Sequence, residues 1–504
     1  MGYVFNPLAI QTDETMKKII VLFLVLVLSQ SAFPADKSLR AFLSYATFTV
    51  PGDKSTIETY LAVDGKSVIF KEQSPGNFQA SIEVTLLFKQ ADTISSFSKY
   101  ELLSPVIQDT SKIDFGFIDF QRYALVDGDY EMEIQIADLN NSSELPFKTT
   151  EVVQLNYPDD KMAFSGIQFV DSYKKSETPT IITKNGLDII PLVFNFFHES
   201  KTTLTFYTEI YNSDKVLGDD AMFLLSYSIQ SYENKTKMQD YFFNKRLNTE
   251  NVNVILNSID IKDLPSGNYI LTVEARDREN KLICSNEMFF QRSNPTIQYN
   301  LNDLAGLNIE NTFASRITKI DSLRESIRSL DPLSNEVERD YANNLSKSDD
   351  IKTMQQYLFN FWYKRNNADP ESAYKTYCFE VKKADKSFKT QTKRGYETDR
   401  GRVYLQYGAP DQIADSHNEP AAYPFEIWQY YQLGKQRNKR FVFCTQDMGT
   451  NDFILIHSDA YGELSNYHWQ EDVYKRVWPG DDVDNFYQED SWGSKATEFY
   501  ENPR

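Results

Sequence analysis

The stretch that decides the fold occurs twice, as Gly128-Asp129-Tyr130-Glu131-Met132-Glu133-Ile134-Gln135-Ile136-Ala137-Asp138 and as Gly267-Asn268-Tyr269-Ile270-Leu271-Thr272-Val273-Glu274-Ala275-Arg276-Asp277. The glycine, the tyrosine, the final aspartate and most apolar positions fall at identical offsets, 139 residues apart. Each copy alternates apolar and polar residues after a glycine turn, which predicts a half-buried β-strand. This separation is the size of one β-sandwich domain, so the repeat predicts two sandwiches in tandem.

A second alternating strand precedes each copy. Its apolar positions are Ala80, Ile82, Val84, Leu86 and Phe88 in the first half, and Leu204, Phe206, Thr208 and Ile210 in the second. No helical period of comparable strength appears between residues 40 and 295. We therefore expect two all-β, immunoglobulin- or fibronectin III-like sandwiches, over about 36–158 and 159–296.

The pattern changes after Pro295. Apolar residues then recur at steps of three and four positions in two segments, which predicts two helices. The apolar positions are Ile317, Ile320, Leu323, Ile327 and Leu330 in the first segment, and Ile351, Met354, Leu358, Phe361 and Trp362 in the second. Asp369-Pro370-Glu371 has the residues of a third helix start. Strands are predicted next, over Arg402 to Tyr407, Phe425 to Tyr431, Arg440 to Thr445 and Phe453 to His457, with a polar, basic loop joining the middle pair. Residues 297–504 should thus form an α+β domain with a C-terminal tail.

One segment of this domain resembles a known family. Gly395-Tyr396-Glu397-Thr398-Asp399-Arg400-Gly401, followed by Gly408-Ala409-Pro410-Asp411, is similar to the signature of the bacterial GWxTD-domain proteins, with Tyr396 in place of the tryptophan. Pro424-Phe425-Glu426-Ile427-Trp428 fits the family's downstream pattern. The resemblance covers roughly 350–465. Its motif residues are Gly395, Tyr396, Thr398, Asp399, Arg400, Gly401, Gly408, Pro410, Asp411, Glu426 and Trp428. The resemblance implies an exported envelope protein and brings no reaction with it.

The N-terminal region has the features of a secretion signal. Lys17 and Lys18 precede an apolar run, Ile19 to Leu28, and small and polar residues follow. This run is shorter than the roughly 20 residues that span a bilayer. We expect a signal over about 16–35, removed on Sec-type export, and no transmembrane anchor afterwards. Residues 1–15 are interpreted as an upstream extension. The periplasm or the outer membrane is the expected location, in preference to the cell surface.

Composition excludes several classes of function. The net charge of −19 opposes contact with phosphate backbones, so no nucleic-acid partner is expected. The three cysteines, Cys284, Cys378 and Cys444, have no zinc-binding spacing, and a Cys378–Cys444 disulfide remains open. The four histidines lack ligand spacing, and no phosphate-binding loop or nucleophile elbow is present. We therefore predict neither a metal site nor a cofactor.

Two interpretations of the signature stay open. In the structural one, Thr398 and Asp399 bond nearby backbone N–H groups and the glycines permit the turn. In the catalytic one, the carboxylates Glu397, Asp399, Asp411 and Glu426 flank an aromatic-lined cleft and serve glycoside hydrolysis. Convergence on an open pocket would favour catalysis, whereas backbone N–H bonds to Asp399 and Asp411 would favour structure. The structural interpretation is preferred, because acids beside turns are commonly caps.

Basic residues interrupt this acidic chain. Residues 382–402 are rich in lysine and arginine, and the predicted hairpin adds Lys435, Arg437, Lys439 and Arg440 as candidate partner contacts. A patch of opposite sign orients and accelerates docking of a charged partner. We therefore predict a structural envelope component whose GWxTD-like domain contacts an envelope protein or an anionic envelope glycan. The alternative is a glycan-binding module or a carboxylate-dependent hydrolase built on the same domain.

Overall fold

A computed structural model describes residues 39–474 apart from 53, 92, 143–145, 234, 236, 298–307, 420–421, 448 and 467, and also 495–501 and 503. The expected export signal lies outside the described residues. The predicted fold class is confirmed, because two β-sandwiches precede an α+β region. Short 3-10 turns lie at Gly65–Ser67, Thr110–Lys112, Ala314–Arg316, Asp331–Leu333 and Gly395–Glu397.

The first sandwich is built from two facing sheets. Its strands are β1 (Ala41–Phe48), β2 (Ser55–Asp64), β3 (Lys71–Ser74), β4 (Asn77–Gln79), β5 (Ser81–Gln90), β6 (Thr93–Leu103), β7 (Gly116–Leu125), β8 (Gly128–Asp138) and β9 (Phe147–Leu155). One sheet has the order β1-β2-β7 and the other β6-β5-β8-β9, while β3 and β4 pair separately. Alternate residues of β5 and β8 point into the shared core, which explains their period of two.

The second sandwich repeats this plan with additions. Its elements are β10 (Ala163–Phe164), β11 (Gln168–Lys175), β12 (Thr183–Lys184), β13 (Leu187–Pro191), β14 (Phe196–Phe197), β15 (Thr203–Tyr211), α1 (Ser213–Leu217), β16 (Met222–Ser231), β17 (Lys237–Asn248), β18 (Val252–Asp260), β19 (Gly267–Arg276) and β20 (Leu282–Arg292). One sheet runs β10-β15-β11-β13-β12, with β18 also on β15, and the other runs β14-β20-β19-β16-β17.

The repeated strands occupy equivalent places. β8 lies between β5 and β9, as β19 lies between β16 and β20. In each, the tyrosine hydroxyl donates to a carbonyl four residues back, from Tyr130 to Val126 and from Tyr269 to Pro265, both at 2.9 Å. This is the tyrosine corner of immunoglobulin-like sandwiches, and it explains why glycine and tyrosine recur together.

The prediction that the alternating strands before the two copies of the repeat are equivalent is wrong. The strand with Leu204, Phe206 and Ile210 is β15, which belongs to the opposite sheet and pairs with β18. The true counterpart of β5 is β16, the partner of β19. Both β15 and β16 send alternate side chains into the same core. Alternation identifies the buried face of a strand, but it does not identify the sheet to which the strand belongs.

The C-terminal region has helices first and a sheet after them. Its elements are α2 (Ile320–Arg328), α3 (Glu336–Leu345), α4 (Ile351–Arg365), α5 (Pro370–Phe388), α6 (Asp399–Tyr407), β21 (Gln412–Ser416), β22 (Phe425–Leu433), β23 (Gln436–Cys444), β24 (Ile454–Ser458), α7 (Trp469–Val473) and α8 (Ala496–Glu501). The antiparallel sheet has the order β21-β22-β23-β24. Asp369 caps α5 by accepting the Ser372 N–H at 2.9 Å, as its sequence predicts.

The strand predicted over Arg402 to Tyr407 is wrong, because these residues end helix α6. Val403 and Leu405 suggested the period of two. In a helix they point about 200° apart, and α6 lies between two apolar clusters. Val403 packs with the sheet and Leu405 with the helices. Burial on two opposite sides therefore reproduces the alternation of a strand.

The two sandwiches contact each other through backbone and buried charge. The N–H of Gly166 donates to the Thr47 carbonyl of β1 at 2.6 Å, and a Cβ on this glycine would stand 2.5 Å from the Thr47 nitrogen. Nearby, the buried Lys184 forms an ion pair with the buried Glu58, which also accepts from Arg122 Nε at 2.8 Å. Burial lowers the pKa of Lys184 to about 8. Because hydrogen bonds and ion pairs are directional, these contacts fix the orientation of one sandwich relative to the other.

Within the part of the chain that the structure describes, no helix has the length and apolar character needed to cross a membrane.

Candidate functional site

Two glycines of the signature stand where backbone packs on backbone. Gly395 lies in the turn before α6, where a Cβ would be 2.3 Å from the carbonyl of Ala384 in α5. A Cβ at Gly401, in the first turn of α6, would be 1.7 Å from the carbonyl oxygen of Gly395. Both distances lie far inside van der Waals contact, so close packing requires glycine at each position. The glycines let α5, the turn and α6 pack as one unit.

Two polar side chains hold this turn in shape. Thr398 Oγ1 accepts the N–H of Gly401 at 3.1 Å and donates to the carbonyl of Gly395 at 2.8 Å. Glu397 accepts the N–H of Arg394 at 2.8 Å. These bonds satisfy backbone groups that a helix start leaves open. Thr398 and Glu397 therefore act as caps.

The two aspartates bind strands of the sheet. Asp399 Oδ2 accepts the N–H of Leu455 in β24 at 2.8 Å. Asp411 Oδ2 accepts the N–H of Tyr431 in β22 at 2.7 Å, at the end of the turn that begins at Gly408 and includes Pro410. Each carboxylate thus ties a helix end or a turn to a strand. This is the outcome that favours the structural interpretation over hydrolysis.

Arg400 is the buried centre of the signature, with 5 % of its surface exposed. Its guanidinium donates to Glu426 Oε1 at 2.6 Å and to the carbonyl of Asn451 at 3.0 Å, and it lies 4.1 Å from the ring centroid of Phe453. Trp428 Nε1 donates to the other oxygen of Glu426 at 3.0 Å. The ion pair is therefore hydrogen-bonded on both carboxylate oxygens, as a buried charge requires.

Tyr396 fills the position of the family's tryptophan. Its ring is buried among the helices, and its hydroxyl donates to Glu325 in α2 at 3.1 Å. Burial raises the pKa of this hydroxyl well above its usual value, so it stays protonated. The tyrosine keeps an aromatic ring in the core and donates a hydrogen bond to α2.

The signature also uses residues that the sequence did not suggest. Arg402 makes a bidentate pair with Glu463, at 2.9 and 2.7 Å, and Tyr407 donates to the same carboxylate at 2.8 Å. Glu463 lies in a loop after β24, and 61 residues separate it from Arg402. No local pattern signals a pair at such a distance.

Two open clefts among the described residues do not involve the four candidate carboxylates. One cleft of about 560 Å³ lies beyond the end of α5 and is lined by Asp385, Lys386, Lys389, Thr390, Gln391, Thr392, Lys393 and Arg394. Another, of about 660 Å³, lies between the second sandwich and the C-terminal region. Neither is lined by Glu397, Asp399, Asp411 or Glu426.

The residues that make these contacts lie in a segment that matches the model of a known domain. Residues 297–475 match the model of the GWxTD domain. The chain carries a GWxTD domain. The match begins near the predicted start of the α+β region and includes the signature, the helices before it and the sheet after it. No protein with curated annotation matches this chain.

Two solved structures show distant likenesses to this chain. Fibronectin(III)-like modules of Clostridium thermocellum CbhA are 10% identical with a TM-score of 0.15, over 51% of this chain and 97% of theirs. A calcium-binding mutant of Bacteroides uniformis beta-glucuronidase 2 is 11% identical with a TM-score of 0.18, over 54% of this chain. The match spans 32% of that beta-glucuronidase. Neither likeness bears on the function of the GWxTD domain.

The basic hairpin of the GWxTD domain contacts both sandwiches. β22 and β23 are joined by the two-residue turn Gly434-Lys435, so the predicted basic loop is mostly strand β23. Lys439, 4 % exposed, pairs with both oxygens of Glu151 in β9 at 3.0 and 3.1 Å. Arg437 reaches Asp129 in β8 at 3.5 Å. The first sandwich thus supplies acidic partners for the hairpin within the same chain.

The remaining hairpin cations also have partners in the chain. Lys435 donates to Asn286 of the second sandwich at 3.2 Å. The backbone N–H of Arg440 donates to Asp459 at 2.5 Å, and burial raises the pKa of that carboxyl to about 6. The predicted exposure of these four cations to a separate partner is therefore wrong for Lys439, which is buried. The others retain partial exposure.

Aromatic contacts complete this junction and were not predicted to face the sandwiches. Tyr461 stacks on Phe289 of the second sandwich, with ring centroids 5.6 Å apart. Gln436 donates to the hydroxyl of Tyr232 at 3.1 Å and accepts the N–H of Tyr461 at 2.7 Å. One hairpin and one following loop therefore hold the GWxTD domain against both sandwiches.

The cysteines carry no activated thiol. Cys284, Cys378 and Cys444 are all free, so the Cys378–Cys444 disulfide is not formed. Cys444 is buried in β23, and burial raises the pKa of its thiol to about 12. A catalytic cysteine needs the opposite shift, because the thiolate is the nucleophile. His457 is also buried, and burial lowers its pKa to about 4.

Proposed function

We propose that this chain is an exported structural component of the bacterial cell envelope, in which two sandwiches hold the GWxTD domain in a fixed position. The GWxTD domain then contacts another envelope component. The observation that carries this proposal is the junction at the β22–β23 hairpin, where one element contacts both sandwiches at once. A chain of loosely tethered domains would not bury the side chain of Lys439 between domains.

The contact between the sandwiches supports the same role. Lys184 pairs with Glu58 in a buried position and lies 3.8 Å from the ring centroid of Phe48. A buried pair tolerates little displacement, since separation of the charges leaves each one desolvated and unpaired. The three domains therefore keep one mutual orientation, which suits a spacer that positions a binding surface.

The chemistry of the signature supports a non-catalytic role. Asp399 and Asp411 accept backbone N–H groups, Glu397 caps a turn, and Glu426 neutralises the buried Arg400. A general acid or a nucleophile in a glycosidase must face the scissile bond. Each of these four groups instead holds one part of the domain to another.

The surface proposed for the envelope partner is the basic cleft beyond α5. Lys386 and Lys389 are exposed there and have no ion-pair partner among the described residues. Lys393 and Arg394 add positive charge, although they pair with Asp452 and Asp385. An open cleft of about 560 Å³ with unpaired cations suits an acidic protein segment or an anionic glycan.

Affinity purification from the native envelope tests this proposal. The wild-type chain should recover an acidic protein or glycan at low salt and lose it at high salt, because exposed charges are screened. The double variant Lys386→Glu/Lys389→Glu should lose the partner. The matched control is Lys245→Glu/Arg246→Glu, which reverses two exposed cations of β17 in the second sandwich.

Two results would contradict the proposal. Recovery that is unchanged by Lys386→Glu/Lys389→Glu would remove the basic cleft as the contact surface. Absence of any envelope partner at low salt would remove the interaction role itself. Export is tested separately by sequencing the N-terminus of the chain from fractionated cells, where a start between Ala32 and Asp36 is expected.

A further inference from the structure

One edge of the first sandwich is open along its whole length. In the sheet β6-β5-β8-β9, the outer strand β9 contacts the GWxTD hairpin through Glu151. The other outer strand, β6, pairs with β5 on one side and with no strand on its other side among the described residues. Its outward N–H and C=O groups are free to pair with an added strand.

Strand β6 also exposes large apolar side chains. Ile94 and Phe97 are each 60% exposed, and Leu103 is 50% exposed. Natural proteins usually protect a sheet edge with charge, proline, a bulge or a short strand. β6 is 11 residues long and contains no proline. The edge does carry two charged residues, Lys99 and Glu101, and a register shift in its pairing with β5, but these leave the apolar side chains exposed for a second chain to cover.

The second sandwich provides an internal comparison. Strand β17 occupies the same place there, since it pairs with β16 as β6 pairs with β5. The exposed alternate residues of β17 are Asp240, Phe242, Asn244, Arg246 and Asn248. Only one of them is apolar, and two carry charge. The apolar exposure of β6 is therefore not a general property of this strand position in the fold.

The exposed row on β6 is complementary to itself. Phe97, Lys99, Glu101 and Leu103 share the outer face of the sheet, while Tyr100 and Leu102 pack toward the core. Read in either direction, the row places an apolar residue at each end and opposite charges in the middle. An antiparallel neighbour with the same row therefore pairs apolar with apolar and positive with negative.

We propose that the chain forms a two-fold dimer by antiparallel pairing of β6 with β6 of a second copy. In the register that sets Tyr100 opposite Tyr100 of the second copy, Phe97 faces Leu103 and Lys99 faces Glu101. A shift of the pairing by one position on each strand sets Lys99 opposite Lys99, or Glu101 opposite Glu101, which is unfavourable. A two-fold contact uses the same patch on both copies, as this strand provides.

Neighbouring side chains hold the charges in place for this contact. Lys99 reaches Glu83 of β5 at 2.8 Å, and Glu101 accepts from Ser81. The Lys99 side chain remains 51% exposed, so it stays available on the outer face. The edge belongs to the first sandwich, so its test is independent of the basic cleft on the GWxTD domain.

Sedimentation equilibrium of the purified chain with two charge variants tests the dimer. Lys99→Glu places like negative charges opposite each other, and Glu101→Lys places like positive charges opposite each other. Each variant alone should raise the dissociation constant at least about tenfold, because two symmetry-related pairs become repulsive. An equimolar mixture of the two variants should recover the wild-type constant, because every opposed pair is then of opposite sign.

A pair of uncharged variants gives a second test. Phe97→Ser on β6 should abolish the dimer, whereas the matched Phe242→Ser on β17 should leave it unchanged. Thermal unfolding by circular dichroism verifies that each variant is folded. The inference is overturned if the wild-type chain is monomeric throughout, if Lys99→Glu and Glu101→Lys each dimerise like the wild type, or if their mixture stays monomeric.

Discussion

Replacement of Glu151 by glutamine removes the carboxylate that faces Lys439 at the junction between the GWxTD domain and the first sandwich. The Lys439 side chain is 4 % exposed, whereas Glu151 is 27% exposed. Removal of one partner from a buried pair costs about 3–5 kcal/mol. Water reaches Glu151 from one side, so we expect Glu151→Gln to cost the GWxTD domain about 2–3 kcal/mol.

Replacement of the other partner of this ion pair, Lys439, should lower the stability much less. In Lys439→Met, the carboxylate of Glu151 stays hydrated through its exposed side and the methionine fills the space of the lysine stem. We expect a loss of about 0–1 kcal/mol for this variant. The double variant should resemble Lys439→Met, since no buried charge is left without a partner. The two single variants of one ion pair therefore differ in cost.

Tryptophan fluorescence during urea unfolding measures these costs in the relevant domain. The five tryptophans, Trp362, Trp428, Trp469, Trp478 and Trp492, all lie within 297–504. The transition therefore reports on the GWxTD domain and on its contacts with the sandwiches. With a urea dependence of about 1–3 kcal/mol/M, Glu151→Gln should lower the midpoint by about 1 M.

The control is Arg437→Gln, which removes the exposed pair with Asp129 at the same junction. An exposed pair contributes about 0–1 kcal/mol, so its midpoint should hardly move. Equal midpoints for Glu151→Gln and Arg437→Gln would refute the reasoning from burial. A larger loss in Lys439→Met than in Glu151→Gln would refute the proposed asymmetry.

Three further predictions use the same chain. Gly401→Ala should lower the free energy of unfolding, followed by tryptophan fluorescence, by at least about 3 kcal/mol, because the added Cβ would lie 1.7 Å from a carbonyl oxygen. The control Gly408→Ala should lower it by about 1–2 kcal/mol, since Gly408 has a φ of 88° but open space around it. Equal losses in the two variants would contradict the packing argument. The pKa of His457 is about 4 in the folded chain and 6.5 in the unfolded chain, so the folded chain loses stability as the pH falls from 6.5 to 4. His457→Gln should reduce this loss of unfolding free energy by about 3 kcal/mol. An unchanged dependence of stability on pH would count against burial of His457 as the cause. Tyr130→Phe and Tyr269→Phe should each lower the free energy of unfolding by about 1–2 kcal/mol, because each variant loses one tyrosine-corner hydrogen bond. Thermal unfolding followed by circular dichroism measures both losses. A loss in only one variant would contradict the equivalence of the two strands.

The sequence predicts best where local chemistry determines structure. The Gly-x-Tyr repeat locates two equivalent strands, because each tyrosine bonds to a carbonyl only four residues away. The start of α5 follows from Asp369 and Pro370, since a cap acts within one turn. The confirmed fold class rests on such local patterns.

The sequence fails where the partner of a residue lies far along the chain. α6 is buried on two sides, so its alternation indicated a strand. Lys439 and Glu151 are 288 residues apart, and neither carries a local sign of the other. The sequence identified the candidate carboxylates only by their place in the signature, and the backbone partners of Asp411 in β22 and of Asp399 in β24 depend on sheet pairing that residue spacing does not specify.

The junction between Lys439 and Glu151 has a consequence for newly made chains. Each sandwich has its own apolar core, so it has the contacts to fold before the residues that follow it are in place. The hairpin that contacts Glu151 and Tyr232, and the loop whose Tyr461 stacks on Phe289, both follow the two sandwiches along the chain. A chain that stops before Gln436 would leave these residues facing water and open to proteases. The hairpin is therefore needed to conceal a surface that the two sandwiches form on their own.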